Sequence, residues 1–217
     1  MAINQSHLSS PHMNKDILIP QPHIKGLIFD LDGTLADTMP MHIEAWIAVG
    51  KEYGADITGP MIDERAGTPT IEVVQDLNQT YGWAIDPYVF RDRRNEVYHA
   101  LKDKAGPIQP IHNILEIAKS NHGVRPMGVG TGSIKTNATL ALKELGITDW
   151  FDIVVTADDV DQPKPHPETF LRSVRHFGLQ PHECLVYEDS PVGIKAALDG
   201  GMHAIHIQTL EYFTPQS

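Results

Sequence analysis

The chain is nearly free of cysteine. Its single thiol, Cys184, excludes an internal disulfide and gives no sign of an oxidising compartment. Cys184 opens the apolar run 184–187 and reads as a small buried hydrophobe rather than a reactive thiol. Positive charge is also scarce. The 17 Lys and Arg stand against 28 Asp and Glu, for a net charge of -11 with His neutral. A nonspecific nucleic-acid binder needs the opposite balance. Long apolar runs are missing too: none approaches the ~20 residues of a membrane-spanning helix. Residues 1–10 lack the basic start and apolar stretch of a signal peptide, so a cytoplasmic address is expected. No internal repeat or low-complexity segment is visible. What remains is 217 residues, 41% of them apolar, enough to bury a core. That length suits one domain, or one domain carrying a smaller insert. Twelve His make the charge sensitive to pH, since protonating all of them would carry it from -11 to +1.

Residues 1–22 are polar, with His7, His12 and His23 in or beside them, and read as a loose tail with a short ordered piece around 17–19. The first strand signal is 24–29, a short apolar run. Helical patterns follow at 40–53, 60–65, 68–81 and 86–105, with Thr38 as the cap of the first and no convincing strand between 38 and 105. Beyond Gly106-Pro107 the pattern alternates. Helices are expected at 111–120, 134–145, 167–177 and 192–199, and strands at 126–130, 152–156, 184–187 and 203–207. Such alternation implies a parallel sheet with right-handed crossovers. The expected architecture is therefore an α/β, doubly wound, Rossmann-like parallel sheet. Its core comprises 23–37 and 106–217, and an all-helical domain, 38–105, is inserted after the first strand.

The chemistry stands at the strand ends. The first strand ends in Asp30, followed by Asp32 and Thr34; the next ends in Thr131; Lys164 follows the third past a short loop; Glu188 and Asp189 end the fourth. In a parallel sheet these ends share one edge, where doubly wound folds bind ligands. The set suits Mg2+ and phosphate. Asp30 and Asp189 offer carboxylates to a cation that prefers oxygen ligands, and Lys164 balances the charge of Asp30 and of an incoming phosphate. Thr131 and the backbone around Gly132 and Ser133, at a helix start, can hold phosphate oxygens. An Asp can attack phosphorus, and Asp32, two residues on, is spaced to serve as acid and then base.

Asp30-Leu31-Asp32-Gly33-Thr34-Leu35 resembles the first signature of the haloacid dehalogenase-like hydrolases. Val129-Gly130-Thr131-Gly132 resembles the second, Lys164-Pro165 the third and Glu188-Asp189 the fourth. All four occur in order, and the resemblance spans roughly 23–208. It implies Asp30 as nucleophile and Asp32 as general acid/base whose backbone carbonyl also meets Mg2+. It further implies Thr131 and Lys164 as phosphate binders, Asp189 as a metal anchor and Glu188 as a nearby ligand. An Asp at position 32 favours phosphate esters, because the dehalogenase and phosphonatase branches lack it.

The helical insert is similar to the cap of the β-phosphoglucomutase-like subgroup. That likeness implies that His42 couples closure to substrate and that Arg94-Asn95 reaches a sugar phosphate. The stretch from Arg65 to Thr70 departs from the mutase pattern, which has an Arg at the place of Thr70 to grip a second phosphate. Residues 122–133, 151–155 and 164–171 resemble the bacterial fructose-1-phosphate and 6-phosphogluconate phosphatases. The resemblance therefore implies a Mg2+-dependent monomeric phosphatase of small sugar phosphates working through an aspartyl-phosphate, with no nucleic-acid or membrane partner. The alternatives are a phosphomutase of the same fold and a phosphosugar-binding module without turnover.

Several residues also have plainer readings. Asp-x-Asp after a strand can be a turn, Thr131 a helix cap, and Arg94, on a helix rich in charge, part of a solvated face. Trp46 falls at helical spacing with Ile43 and Ile47 and reads as core. His203 and His206 face opposite sides of a strand and do not make a metal pair.

Overall fold

The computed structural model describes residues 15–216. His7, His12 and the rest of 1–14 lie outside the described residues. Within the expected tail, Lys15–Leu18 form a 3-10 turn, which is the short ordered piece anticipated near 17–19. This turn is docked on the core. Leu18 is buried in it, and the Tyr187 hydroxyl donates to the Leu18 carbonyl at 2.6 Å.

Six short strands form one sheet in the order β3-β2-β1-β4-β5-β6. They are β1 (Gly26–Phe29), β2 (Met127–Gly130), β3 (Ile153–Val155), β4 (Cys184–Glu188), β5 (His203–His206) and β6 (Glu211–Phe213). β1 lies centrally, with Leu27 registered against Met127 on one side and Leu185 on the other. Alternation along the strands sends side chains to two cores. Leu27, Phe29, Leu185 and Tyr187 face one core, with α5 (His112–Asn121) and α6 (Lys135–Glu144). Ile28, Cys184, Val186 and Ala204 face the other, with α7 (Glu168–Phe177) and α8 (Pro191–Asp199). Apolar residues on both faces of each strand explain why the strands read as continuous runs. The fold is thus the doubly wound α/β sheet the alternation implies. Cys184 is buried in it.

Two details differ from the sequence reading. The sheet is not wholly parallel: β6 pairs antiparallel to β5, with Ile205 opposite Tyr212. A three-residue strand following a tight return carries too little periodicity to be seen. β1 also starts at Gly26 rather than at 24, although Ile24 is buried beside it.

Between β1 and α5 the chain forms four helices: α1 (Met39–Glu52), α2 (Gly59–Asp63), α3 (Thr70–Tyr81) and α4 (Pro87–Ala105). Pro87 stands in the first turn of α4, where a missing N–H does no harm, and Asp86 caps that helix by accepting from the amides of Tyr88 and Val89. These helices enclose a hydrophobic cluster of their own around Trp46, Val49, Val74, Leu77 and Phe90, so Trp46 packs as expected. The two connections to the core pair with each other. Ala36 bridges Pro110, Asp37 N–H donates to the Gln109 carbonyl at 2.8 Å, and Ile111 N–H donates to Leu35 at 3.0 Å. Lys102 of α4 also forms an ion pair with Glu144 of α6, tying insert to core.

Candidate active site

Parallel strands deliver their carboxyl ends to one edge, and the helical insert stands over it. Between them lies a cleft of about 370 Å³. Asp30, Asp32, Thr131, Gly132 and Ser133 line it from the core, and His42, Arg65, Thr70, Arg94 and Asn95 from the insert. The residues singled out from sequence at the cleft are thus brought together.

Behind Asp30 and outside the residues that line the cleft, Lys164 is 2% exposed and donates to Asp30 Oδ1 and to Glu188 Oε1, each at 2.7 Å. The other oxygen of Glu188 accepts from the Ser190 amide at 2.6 Å and the Ser190 hydroxyl at 2.8 Å. Asp189 stands beside them, with the Thr34 hydroxyl at 3.5 Å. Burial raises the Asp30 carboxyl above the ordinary range; Lys164 opposes this and the Glu188 charge reinforces it. Asp189 is raised as well, by burial and by the charges of Glu188 and Asp30. Lys164 is held firmly cationic: burial alone would lower its pKa, but its two carboxylate partners more than offset that. One ammonium thus faces three carboxylates.

That imbalance suits a cation. Oxygen atoms of Asp30, Glu188 and Asp189 lie within 4.8 Å of one another, a hard-ligand set of the kind a hard divalent ion takes. Asp30 and Asp189 have oxygens to offer, whereas both oxygens of Glu188 already hold protein donors. Gly33 makes room for this arrangement. Its φ is +82°, and a Cβ there would lie 2.1 Å from Asp189 Oδ2.

Asp32 sits in a different environment. It accepts from the Thr38 hydroxyl at 2.6 Å and the Ser133 hydroxyl at 2.6 Å, with the Thr131 hydroxyl at 3.5 Å and His42 Nε2 at 3.2 Å. Burial would raise its pKa, but the hydrogen bonds and charge of His42, with the two hydroxyls, outweigh it and hold the carboxyl below the usual range. Two carboxylates two residues apart are therefore pushed in opposite directions. Thr38 had read as a helix cap. It makes no side-chain cap bond, because its hydroxyl goes to Asp32 instead. The Ser133 amide donates to Thr131 Oγ1 at 3.0 Å, so in this conformation that N–H is engaged within the loop.

On the insert side, His42 stacks on Tyr98 of α4, with centroids 4.3 Å apart and rings 5° from parallel. Arg94 Nη1 approaches His42 Nδ1 at 3.4 Å, its Nη2 donates to Asn95 Oδ1 at 2.9 Å, and its Nε is buried with no partner among the described residues. Burial lowers the Arg94 pKa to about 10 against the pull of Asp32, which leaves it cationic at neutral pH. Arg65 lines the cleft, but its guanidinium is occupied by Asp76 at 2.7 Å and the Met61 carbonyl at 2.9 Å. Thr70 begins α3 and brings no charge to the wall. Tyr98, Ser190 and the Asp32 role of Thr38 escaped the sequence reading. The signal for Thr38 was its place six residues after Asp32; Tyr98 and Ser190 join their partners through the fold.

A doubly wound sheet with this acidic edge and an insert after its first strand defines a class of hydrolase. The chain belongs to the haloacid dehalogenase-like hydrolases, whose family model matches residues 27–207. It is 39% identical over 186 residues to the fructose-1-phosphate phosphatase YqaB of Escherichia coli (strain K12), covering 85% of this chain and 97% of that one. It is 27% identical over 189 residues to a phosphorylated carbohydrates phosphatase of Thermotoga maritima, covering 84% of each. The solved β-phosphoglucomutase of Clostridium difficile superposes with a TM-score of 0.70 at 30% identity, covering 84% of this chain and 83% of that one. Among the described residues no helix is long and apolar enough to cross a membrane.

Proposed function

We propose that the protein is a Mg2+-dependent phosphatase of small sugar phosphates, working through an aspartyl-phosphate on Asp30. The observation that carries this reading is a pair of carboxylates in one cleft, Asp30 buried and Asp32 partly open, in opposite electrostatic surroundings. Asp30 is bound to Lys164 at 2.7 Å, and Asp32 is bound to hydroxyls and His42 instead. Identity to relatives named for phosphatase activity supports it.

In this reading an Asp30 oxygen attacks phosphorus, and the bond from phosphorus to the ester oxygen breaks. Asp32 gives its proton to the leaving alkoxide. Water then attacks phosphorus and passes a proton to Asp32, while the bond to Asp30 breaks and phosphate departs. Asp32 ends as it began. Its hydrogen-bond donors favour the carboxylate, which suits the second step. For the first, the negative charge of an arriving phosphate raises its pKa and so favours the proton. Lys164 and the Thr131 hydroxyl face the charge that develops on the transferring oxygens. A divalent ion held by Asp30, Asp189 and the Asp32 carbonyl would supply further positive charge there. Arg94 and Asn95, on the insert wall, are assigned to the sugar.

The test is phosphate release from fructose 1-phosphate, 6-phosphogluconate, glucose 6-phosphate and β-glucose 1-phosphate, with and without EDTA. Release that EDTA abolishes is expected, and its absence across the panel would overturn the reading. A phosphomutase needs a second anionic grip. Thr70 has no charge and Arg65 is committed to Asp76, so hydrolysis is favoured. Isomerisation in a coupled assay would reverse that order.

A further inference from the structure

Lys164 has a third neighbour that neither the motifs nor the mechanism above uses. Its Nζ lies 4.5 Å from the centroid of the Phe170 ring. Phe170 is fully buried in the first turn of α7. The same ring presses against the end of β2. A Cβ on Gly130 would lie 2.7 Å from Phe170 Cδ1, so the ring is seated under the backbone that leads into Thr131. One aromatic ring thus touches both segments that supply the phosphate-facing groups.

We infer that Phe170 is a positioning residue: the face of its ring holds the Lys164 ammonium against Asp30 and Glu188, so that its charge stays fixed beside the nucleophile and the phosphoryl group. An ammonium has three N–H donors, and two are spent on carboxylates here. A third carboxylate on its remaining side would neutralise charge needed by the phosphate. Water there would let the flexible lysine stem wander. An aliphatic side chain would exclude water and offer nothing in return. The negative face of an aromatic ring attracts the cation without adding a formal charge, and the attraction grows when the site is desolvated. Gly130 is the complement on the neighbouring strand, since any side chain there would displace the ring.

This rests on the phosphatase reading, and its test keeps the two apart. Phenylalanine at position 170 is replaced by its mono-, di- and trifluorinated forms, which keep the shape of the ring while draining its face of negative charge. The expected result is a kcat that falls stepwise with fluorine number, by about tenfold in all, with KM within about twofold. Affinity for orthovanadate, a mimic of the phosphoryl transition state read by calorimetry without turnover, should fall in parallel. Phe170→Leu should lose at least as much kcat as the trifluorinated form. Flat kcat and flat vanadate affinity across the series would overturn the inference, as would losses that track melting temperature rather than fluorine number. A parent protein that releases no phosphate from any ester defeats the phosphatase reading, while the vanadate series still decides the role of Phe170. No vanadate binding by the parent protein overturns both.

Discussion

The two walls of the cleft are built on opposite electrostatic plans. The core side is dense with buried charge: Asp30, Lys164 and Glu188 share bonds of 2.7 Å with almost no exposure. The insert side spends its charges on itself. Arg65 pairs with Asp76, Arg91 with Asp92, and Arg93 with Glu52 and Glu96. Arg94 differs: it is half-buried at the cleft, forms no ion pair with a carboxylate among the described residues, and its Nε has no hydrogen-bond partner among them. Buried, fully bonded charge is rigid and cannot adapt to different ligands, whereas a single loosely satisfied cation can. On the phosphatase reading proposed above, chemistry belongs to the floor and selection to the wall.

The sharpest way to break that comparison is Asp30→Asn. Loss of the nucleophile should lower kcat by about a thousandfold or more. The fold should hold, because the amide keeps the size of the carboxyl and an oxygen that can accept from Lys164. Turnover near the parent rate would refute the covalent route, and a melting curve taken alongside shows whether the fold survived. Lys164→Met should do the reverse. It leaves buried carboxylates without their cation and should destabilise by about 3–5 kcal/mol in denaturant titration. A loss under 1 kcal/mol would mean that the Lys164 bonds to Asp30 and Glu188 do not hold this part of the core together.

Arg94→Ala tests the wall. The ratio kcat/KM for the preferred sugar phosphate should fall by about 10- to 100-fold and the substrate ranking should flatten, with little change in melting temperature. An unchanged ranking would move selection elsewhere. The smallest effect lies outside the cleft. Burial, aided by the charges of His23 and His182 and opposed by a bond to the His182 backbone, lowers the pKa of His203. A histidine lowered in the folded state binds fewer protons than in the unfolded chain, so stability rises with pH. Melting temperature should therefore drop by a few degrees as pH falls through about 6.5. His203→Gln should shallow that slope.

The floor was legible in the sequence because Asp30, Thr131 and Glu188 end apolar runs, with Lys164 a loop beyond another, and a parallel sheet sends all such ends to one edge. Asp30, Thr131, Lys164 and Glu188 needed no knowledge of pairing beyond that rule. The wall was legible only as a set of residue names. That Arg65 is consumed by Asp76 while Arg94 is not depends on which helix faces the cleft. Tyr98 beneath His42 depends on how α1 packs on α4, and no spacing within either helix encodes it. β6 was invisible because three residues cannot show a period. Thr38 does stand at the N-cap of α1, but its hydroxyl goes to Asp32 rather than to the helix, a choice that spacing alone does not decide.

The paired connections at Ala36 and Pro110 carry a consequence for how the chain reaches this state. β1 must find β2 from across the whole insert, and closing a long loop costs entropy that grows with the logarithm of its length. If the insert forms first, its own core around Trp46 and Phe90 draws its ends together, and the loop left to close is short. If it forms late, β1 pays for the full span before gaining a partner on that side. Since Trp46 belongs both to that core and to the lining of the cleft, the side chains that shorten the loop during folding also shape the site once folded.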